Sequence, residues 1–182
     1  MKYETATVFV VDDDAGVRKS LGQLLTAVSL SVETFASGPE FLDAIDADRP
    51  GCLLLDLRLR EGSGLEVQDE LLRRRVHLPI IVLTGHGNVP DSVRAMKAGA
   101  FDFLQKPPPP ALLLERIRAA IECDRVARAA NVLRTAALTR LSILTPPERD
   151  VLSLLVAGGA SEQTASDLTI SMQGVGAGYC RS

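Results

Sequence analysis

Apolar runs along this chain stop at polar residues at regular intervals. Thr7-Val8-Phe9-Val10-Val11 is halted by Asp12-Asp13-Asp14, which predicts a buried strand with an acidic end. Val17, Leu21, Leu24, Leu25 and Val28 then recur at helical spacing, with Asp14 as the expected N-cap. Ser31 to Phe35 alternates as a short strand. Ser37-Gly38-Pro39-Glu40 opens a helix expected to run to about Ala47, with Phe41, Leu42 and Ile45 inward. Cys52-Leu53-Leu54-Leu55-Asp56 is a third strand, again ending in a carboxylate. After a glycine-bearing loop, Leu65, Val67, Leu71 and Leu72 indicate a helix whose end carries the solvated trio Arg73-Arg74-Arg75, where cations suit the helix dipole. Pro79 to Thr84 is a fourth buried strand. Val89 to Ala98 reads as a helix ended by Gly99, and Ala100 to Gln105 as a fifth strand ending at Lys106.

Five strands alternating with helices imply parallel pairing, right-handed crossovers and a doubly wound α/β sheet, with every polar strand end on one edge. Pro107 to Pro110 cannot extend the fifth strand, so a helix starts only near the end of that run. From there Leu113, Ile117, Ala120 and then Val126, Ala130, Leu133, Ala137 and Leu141 keep helical steps. The fifth helix is therefore expected to continue past the domain as a connector suited to pairing. Leu144-Thr145-Pro146-Pro147-Glu148 has the form of a new helix start, with Thr145 as N-cap and Glu148 completing a capping box. That helix is expected to reach Gly158-Gly159, with a short helix over Ser161 to Leu168 after it. Gly174, Gly176 and Gly178 each cost about 1 kcal/mol in a helix, so no stable helix is expected there.

Charge divides the chain in the same places. Residues 1–124 carry 14 basic against 19 acidic groups, net −5; residues 125–144 hold four arginines and no acid; residues 145–182 are net −2. The arginines of 125–144 read as a solvated face. No apolar run approaches the roughly 20 residues of a membrane span, and no secretory signal pattern opens the chain, so a cytoplasmic protein is the expectation. Cys52, Cys123 and Cys180 are too widely spaced for a metal motif or a disulfide framework. His77 and His86 are expected in loops, as solvated groups.

Chemistry concentrates at the strand ends. Asp12 and Asp13 from the first strand, Asp56 from the third, Thr84 from the fourth and Lys106 from the fifth should converge at the carboxyl edge, where open α/β sheets place their ligands. Three carboxylates that close repel unless a cation lies among them, and an all-oxygen donor set suits Mg²⁺. An ammonium and a hydroxyl beside them match the remaining oxygens of a phosphoryl group. The implied reaction is attack by the Asp56 carboxylate on phosphorus. A Mg²⁺-dependent phosphatase of similar topology would need a second aspartate two residues after the nucleophile, and Arg58 stands there instead.

Val11-Asp12-Asp13-Asp14, Leu55-Asp56-Leu57-Arg58 with Gly64 eight residues past the aspartate, Leu83-Thr84-Gly85 and Gln105-Lys106-Pro107, with Arg18, closely resemble the receiver domain of two-component response regulators over roughly residues 6–124. The resemblance implies a flavodoxin-like five-stranded receiver and phosphotransfer to Asp56 from a sensor histidine kinase. It also implies Mg²⁺ held by Asp13, Asp56 and the Arg58 backbone carbonyl, with Asp12 helping through water. Thr84 and Phe103 would be the switch pair, and phosphorylation would favour homodimer formation. Arg60 replaces a proline common in that family, and Pro108 replaces a bulkier residue. Lys106-Pro107 matches a bond that is cis in the family.

Leu144 to Leu152 and Ala157 to Ser171 are similar to the first half of a LuxR-type helix-turn-helix, which places the whole chain near the FixJ-like transcriptional regulators. The likeness then stops, before any basic recognition helix. The expected organisation is a receiver over 1–124, a helical linker over 125–144 and a truncated or altered helix-turn-helix over 145–182. DNA binding is expected to be impaired, and a receiver that signals or drains phosphate without DNA is the competing reading.

Overall fold

A computed structural model describes residues 6–85, 89–145, 147–150 and 152. The first strand, β1 (Thr7–Val11), is buried throughout and stops at the aspartates. Asp14 caps α1 (Ala15–Ala27), its carboxylate accepting from the amides of Gly16 and Val17. These two hydrogen bonds hold the Asp14 carboxyl below the usual aspartate range. β2 (Ser31–Phe35) follows, then α2 (Gly38–Ala44), capped by the Ser37 hydroxyl. β3 (Gly51–Asp56) leads through a turn at Gly62 to α3 (Gly64–Arg73), which starts with a full capping box between Ser63 and Glu66. β4 (Ile80–Thr84), α4 (Val89–Lys97), β5 (Asp102–Gln105) and the 34-residue α5 (Pro110–Ile143) complete the described elements.

All five strands are parallel, in the order β2-β1-β3-β4-β5. The chain lays β2 on one side of β1 and then crosses to lay β3 on the other, so the crevice at the carboxyl ends lies between β1 and β3. Strand residues alternate between two cores. Phe9, Val11, Leu53, Leu55, Ile80 and Val82 belong to one, which also takes Phe41 of α2 and Val67 and Leu71 of α3. Val8, Val10, Cys52, Leu54, Ile81, Leu83 and Leu104 belong to the other, with Leu21 and Leu25 of α1 and Leu113, Ile117 and Ala120 of α5. The expected doubly wound sheet is thus present, with helices on both faces.

Four details differ from the sequence reading. α2 ends at Ala44, where Ile45 turns extended, and the Asp46 carboxylate then accepts the Asp48 amide. β5 begins at Asp102, after the left-handed Gly99. Leu72 is exposed, on the outer side of α3. The arginine trio is not wholly solvated: Arg73 and Arg74 both pair with Glu70, and Arg74 also donates to the Leu42 carbonyl at 2.5 Å.

The chain divides into two compact units, Met1–Arg128 and Ala129–Ser182. In the second, Val132, Leu133, Leu138, Leu141 and Ile143 are exposed along the helix. At Thr145, Glu148 accepts from both the backbone amide and the hydroxyl, one half of the expected capping box. His86, Cys180 and the expected helices beyond Leu152 lie outside the described residues.

Candidate functional site

Immediately past the last buried valine of β1, and at the last residue of β3, the strands carry acids toward the same crevice. The parity of the strands decides which side chains can meet, because successive residues point to opposite faces. Asp12 continues the Val8-Val10 series, Asp56 the Cys52-Leu54 series, and Lys106 the series of Leu104; all three therefore belong to the α1/α5 face. Thr84 continues the series of Val82, whose register partner on β5 is Phe103, so Thr84 and Phe103 share the opposite face.

The geometry follows that parity. Lys106 Nζ lies 2.5 Å from Asp12 Oδ2 and 2.5 Å from Asp56 Oδ2, bridging residues that are 94 and 50 positions away along the chain. Burial opposes the charge on Lys106, but its two carboxylate partners outweigh that cost and hold its pKa above the ordinary lysine value. Asp12 and Asp56 are buried, at 1% and 8% exposure. Asp13 lies between buried and exposed, and its Oδ2 is 3.0 Å from Arg60 Nε. One carboxylate oxygen from each of Asp12, Asp13 and Asp56 falls within 4.8 Å of the others.

Local contacts pin two of the three acids, Asp12 and Asp56. Asp12 Oδ1 accepts the Asp14 amide, and the Asp12 carbonyl accepts from Arg18 at 2.6 Å. Asp56 Oδ1 accepts the Arg58 amide at 2.9 Å, leaving Oδ2 to Lys106. Gly64 packs directly under Asp56: a Cβ there would come within 2.4 Å of the Asp56 carbonyl oxygen. The Lys106 amide donates to the Thr84 carbonyl, and Lys106-Pro107 is cis.

Thr84 is buried at the end of β4. Phe103 is half-buried, packed against the α2/α3 core, and borders a surface hollow with Val93, Met96 and Lys97 of α4. The structure thus brings Asp12, Asp13, Asp56 and Lys106 into one constellation and puts Thr84 and Phe103 on a shared face of neighbouring strands. His77 is exposed, as expected for a solvated group.

Sequence reasoning missed two residues. Arg60 reaches Asp13 from the β3–α3 loop, which no local pattern announces. The α5 stripe read from the sequence runs from Ala120 to Val126 and omits Asp124, yet Leu113, Ile117, Ala120 and Asp124 are its buried positions and Val126 is exposed. The signal was available, since 113, 117, 120 and 124 keep the helical step. Asp124 Oδ2 accepts the Gly51 amide at 2.9 Å and pairs with Arg128 Nε at 2.8 Å, and Arg128 also donates to the carbonyls of Ala47 and Arg49. Arg128, expected on a solvated face, is therefore tied down.

Comparison with known proteins bears on the whole chain. The sequence pattern of the response regulator receiver domain matches residues 8–118. The chain is 43% identical over 166 residues to nodulation protein W of Bradyrhizobium diazoefficiens, covering 91% of this chain and 73% of that protein. It is 42% identical over 169 residues to the transcriptional regulatory protein FixJ of Rhizobium meliloti, covering 91% of this chain and 81% of that one. Among solved structures, the response regulator StyR superposes with a TM-score of 0.84 at 38% identity, covering 96% of this chain and 88% of that one.

Proposed function

Because the chain belongs to the receiver-domain response regulators of two-component systems, we propose that it accepts a phosphoryl group on Asp56 from a sensor histidine kinase. The observation that carries this reading is the bridge from Lys106 Nζ to Asp56 Oδ2 beside the grouped oxygens of Asp12 and Asp13. In the transfer, a carboxylate oxygen of Asp56 forms the new O–P bond. The N–P bond of the donor phosphohistidine breaks, and its electron pair returns to the imidazole nitrogen. Lys106 stays within reach of the equatorial oxygens, and the buried Thr84 hydroxyl is the remaining candidate partner for them.

The donor set fits a hard divalent cation: three carboxylates, no sulfur and no imidazole. Asp13, Asp56 and the Arg58 carbonyl would hold Mg²⁺, with Asp12 assisting through water. When bound, the ion supplies charge neutralisation on the transferring group. The protein's own contribution is to hold the Asp56 carboxylate aimed, through the Arg58 amide and Lys106.

Thr84 and Phe103 form the switch in this reading. Their shared face of β4 and β5, next to α4, is where a shift of Thr84 toward a phosphoryl group would free space for Phe103. The receiver is taken as residues 1–124, the linker as 125–144 and the altered helix-turn-helix as 145–182. The exposed apolar residues of α5 offer a pairing face for a homodimer on phosphorylation. Transcriptional output is the family's use of such a chain, but residues 145–182 are net acidic and contain no lysine, so DNA binding here is impaired. Specific binding of the full-length phosphorylated protein to a promoter fragment at physiological salt, abolished by deleting 145–182, would overturn that last point.

The central test is incubation with Mg²⁺ and acetyl phosphate, followed by intact mass and dimerisation measurements on wild type and Asp56→Asn. One phosphoryl group is expected on the wild type and none on the variant. Failure of the wild type to gain phosphate defeats the reading.

A further inference from the structure

The loop after Asp56 alternates strictly. Leu57 and Leu59 are buried, at 7% and 9% exposure, and anchor the loop to the α2/α3 core, while Arg58 and Arg60 point outward between and beyond them. Of these two arginines only Arg60 finds a carboxylate. Its Nε lies 3.0 Å from Asp13 Oδ2, and Asp13 is one of the three residues whose oxygens group at the crevice. Arg58 carries no ion pair among the described residues. Buried Leu59 on one side and the turn at Gly62 on the other place the Arg60 backbone within its side chain's reach of Asp13.

The charges of the crevice are then nearly matched from within the chain. Lys106 serves Asp12 and Asp56, and Arg60 serves Asp13. The geometry points to Arg60 as a built-in competitor of the divalent cation: it pairs with Asp13 Oδ2 and so contends with a cation for the charge of that carboxylate. This inference rests on the phosphoacceptor reading, since it presumes that Asp13 is a ligand. It gives the chain a weaker, more salt-dependent cation site than its three carboxylates alone would make, and it ties the β3–α3 loop to the β1–α1 loop whenever the cation is absent. Arg60 acts here as a positioning residue, through Asp13 and not on the reacting atoms.

The pair is exposed on the arginine side, with the Arg60 side chain 82% accessible, so its strength is that of a surface ion pair. Arg60→Ala is therefore expected to tighten Mn²⁺ binding about two- to five-fold, measured by electron paramagnetic resonance of free Mn²⁺ on the full chain without any phosphodonor. Arg58→Ala removes the same charge from the same loop without removing the contact. It is expected to change the Mn²⁺ dissociation constant by less than half as much, and it separates a contact effect from a general field effect. The gain from Arg60→Ala should shrink as salt rises from about 0.05 M to 0.5 M, because screening weakens the pair. Equal dissociation constants for wild type and Arg60→Ala, or equal gains from the two arginine variants, would overturn the assignment while leaving the phosphoacceptor reading in place. Absence of Mn²⁺ binding in every variant would overturn both.

Discussion

Asp124 and Asp56 are both buried carboxylates, 3% and 8% exposed, placed at opposite ends of the same sheet. At the amino end, Asp124 faces the Gly51 amide and the Arg128 guanidinium, whose remaining donors reach the carbonyls of Ala47 and Arg49. One negative charge meets one positive charge, and the hydrogen-bonding groups around them have partners. At the carboxyl end, three carboxylates share Lys106 and an exposed arginine, leaving an excess of negative charge in a half-buried crevice. The first arrangement is saturated and can only hold the chain together, pinning α5 to the start of β3. The second is unsaturated, which costs stability and suits the cation and phosphoryl group of the proposed function.

The comparison breaks most visibly at the amino end. Arg128→Ala leaves Asp124 buried with only the Gly51 amide, and stripping one partner from a buried pair costs about 3 kcal/mol. The value is set at the low end of the usual range because the Arg128 side chain is itself 28% exposed. Urea unfolding should show that loss while Mn²⁺ affinity stays unchanged. A loss below about 1 kcal/mol would mean the amino end is no lock.

The pH dependence of stability sharpens the same point. Burial, with a further push from the Asp124 charge, raises the Cys52 thiol to about 12. An unfolded cysteine ionises near 8.5, so the stabilisation is complete below that pH and is lost as pH rises from about 8.5 toward 12. By pH 10 the loss should be roughly 2 kcal/mol. Cys52→Ala should flatten that part of the curve relative to wild type, read from chemical unfolding at several pH values. An identical slope in both proteins would show that the thiol is not desolvated.

The smallest effect has the opposite sign. Asp13→Asn relieves repulsion from Asp12 and Asp56 and gives up only an exposed ion pair. The cation-free protein should gain about 1 kcal/mol, and the rise in melting temperature expected of wild type on adding Mg²⁺ should be lost in the variant. Destabilisation by this variant would place the carboxyl end in the same class as the amino end.

Much of this was legible along the chain. The strands announced themselves by apolar runs cut off at Asp12, Asp56 and Thr84, the α1 cap by Asp14, and the parallel sheet by the alternation of strands with helices. A parallel sheet sends all its carboxyl ends to one edge, so the gathering of Asp12, Asp13, Asp56 and Lys106 followed from local patterns plus connectivity. The cis state of Lys106-Pro107 followed from the family resemblance and not from the local pattern, because an isolated X-Pro bond favours trans.

Asp124 and Arg128 show where such reading fails. Four residues apart on a helix, they look like an ordinary surface pair. Asp124 is buried, with Arg128 half-buried over it, because the Gly51 amide approaches from 73 residues away, at a glycine with φ +152° where a Cβ would meet the Thr7 carbonyl oxygen at 1.9 Å. Arg60 and Asp13 meet across a gap of the same kind, between two loops. The five-stranded parallel fold and the residues at its chemical edge are written in the chain, because periodicity and strand polarity are local properties. Which charges are paired and which are left in excess is set by the folded arrangement, because that balance depends on distances between segments far apart in the chain.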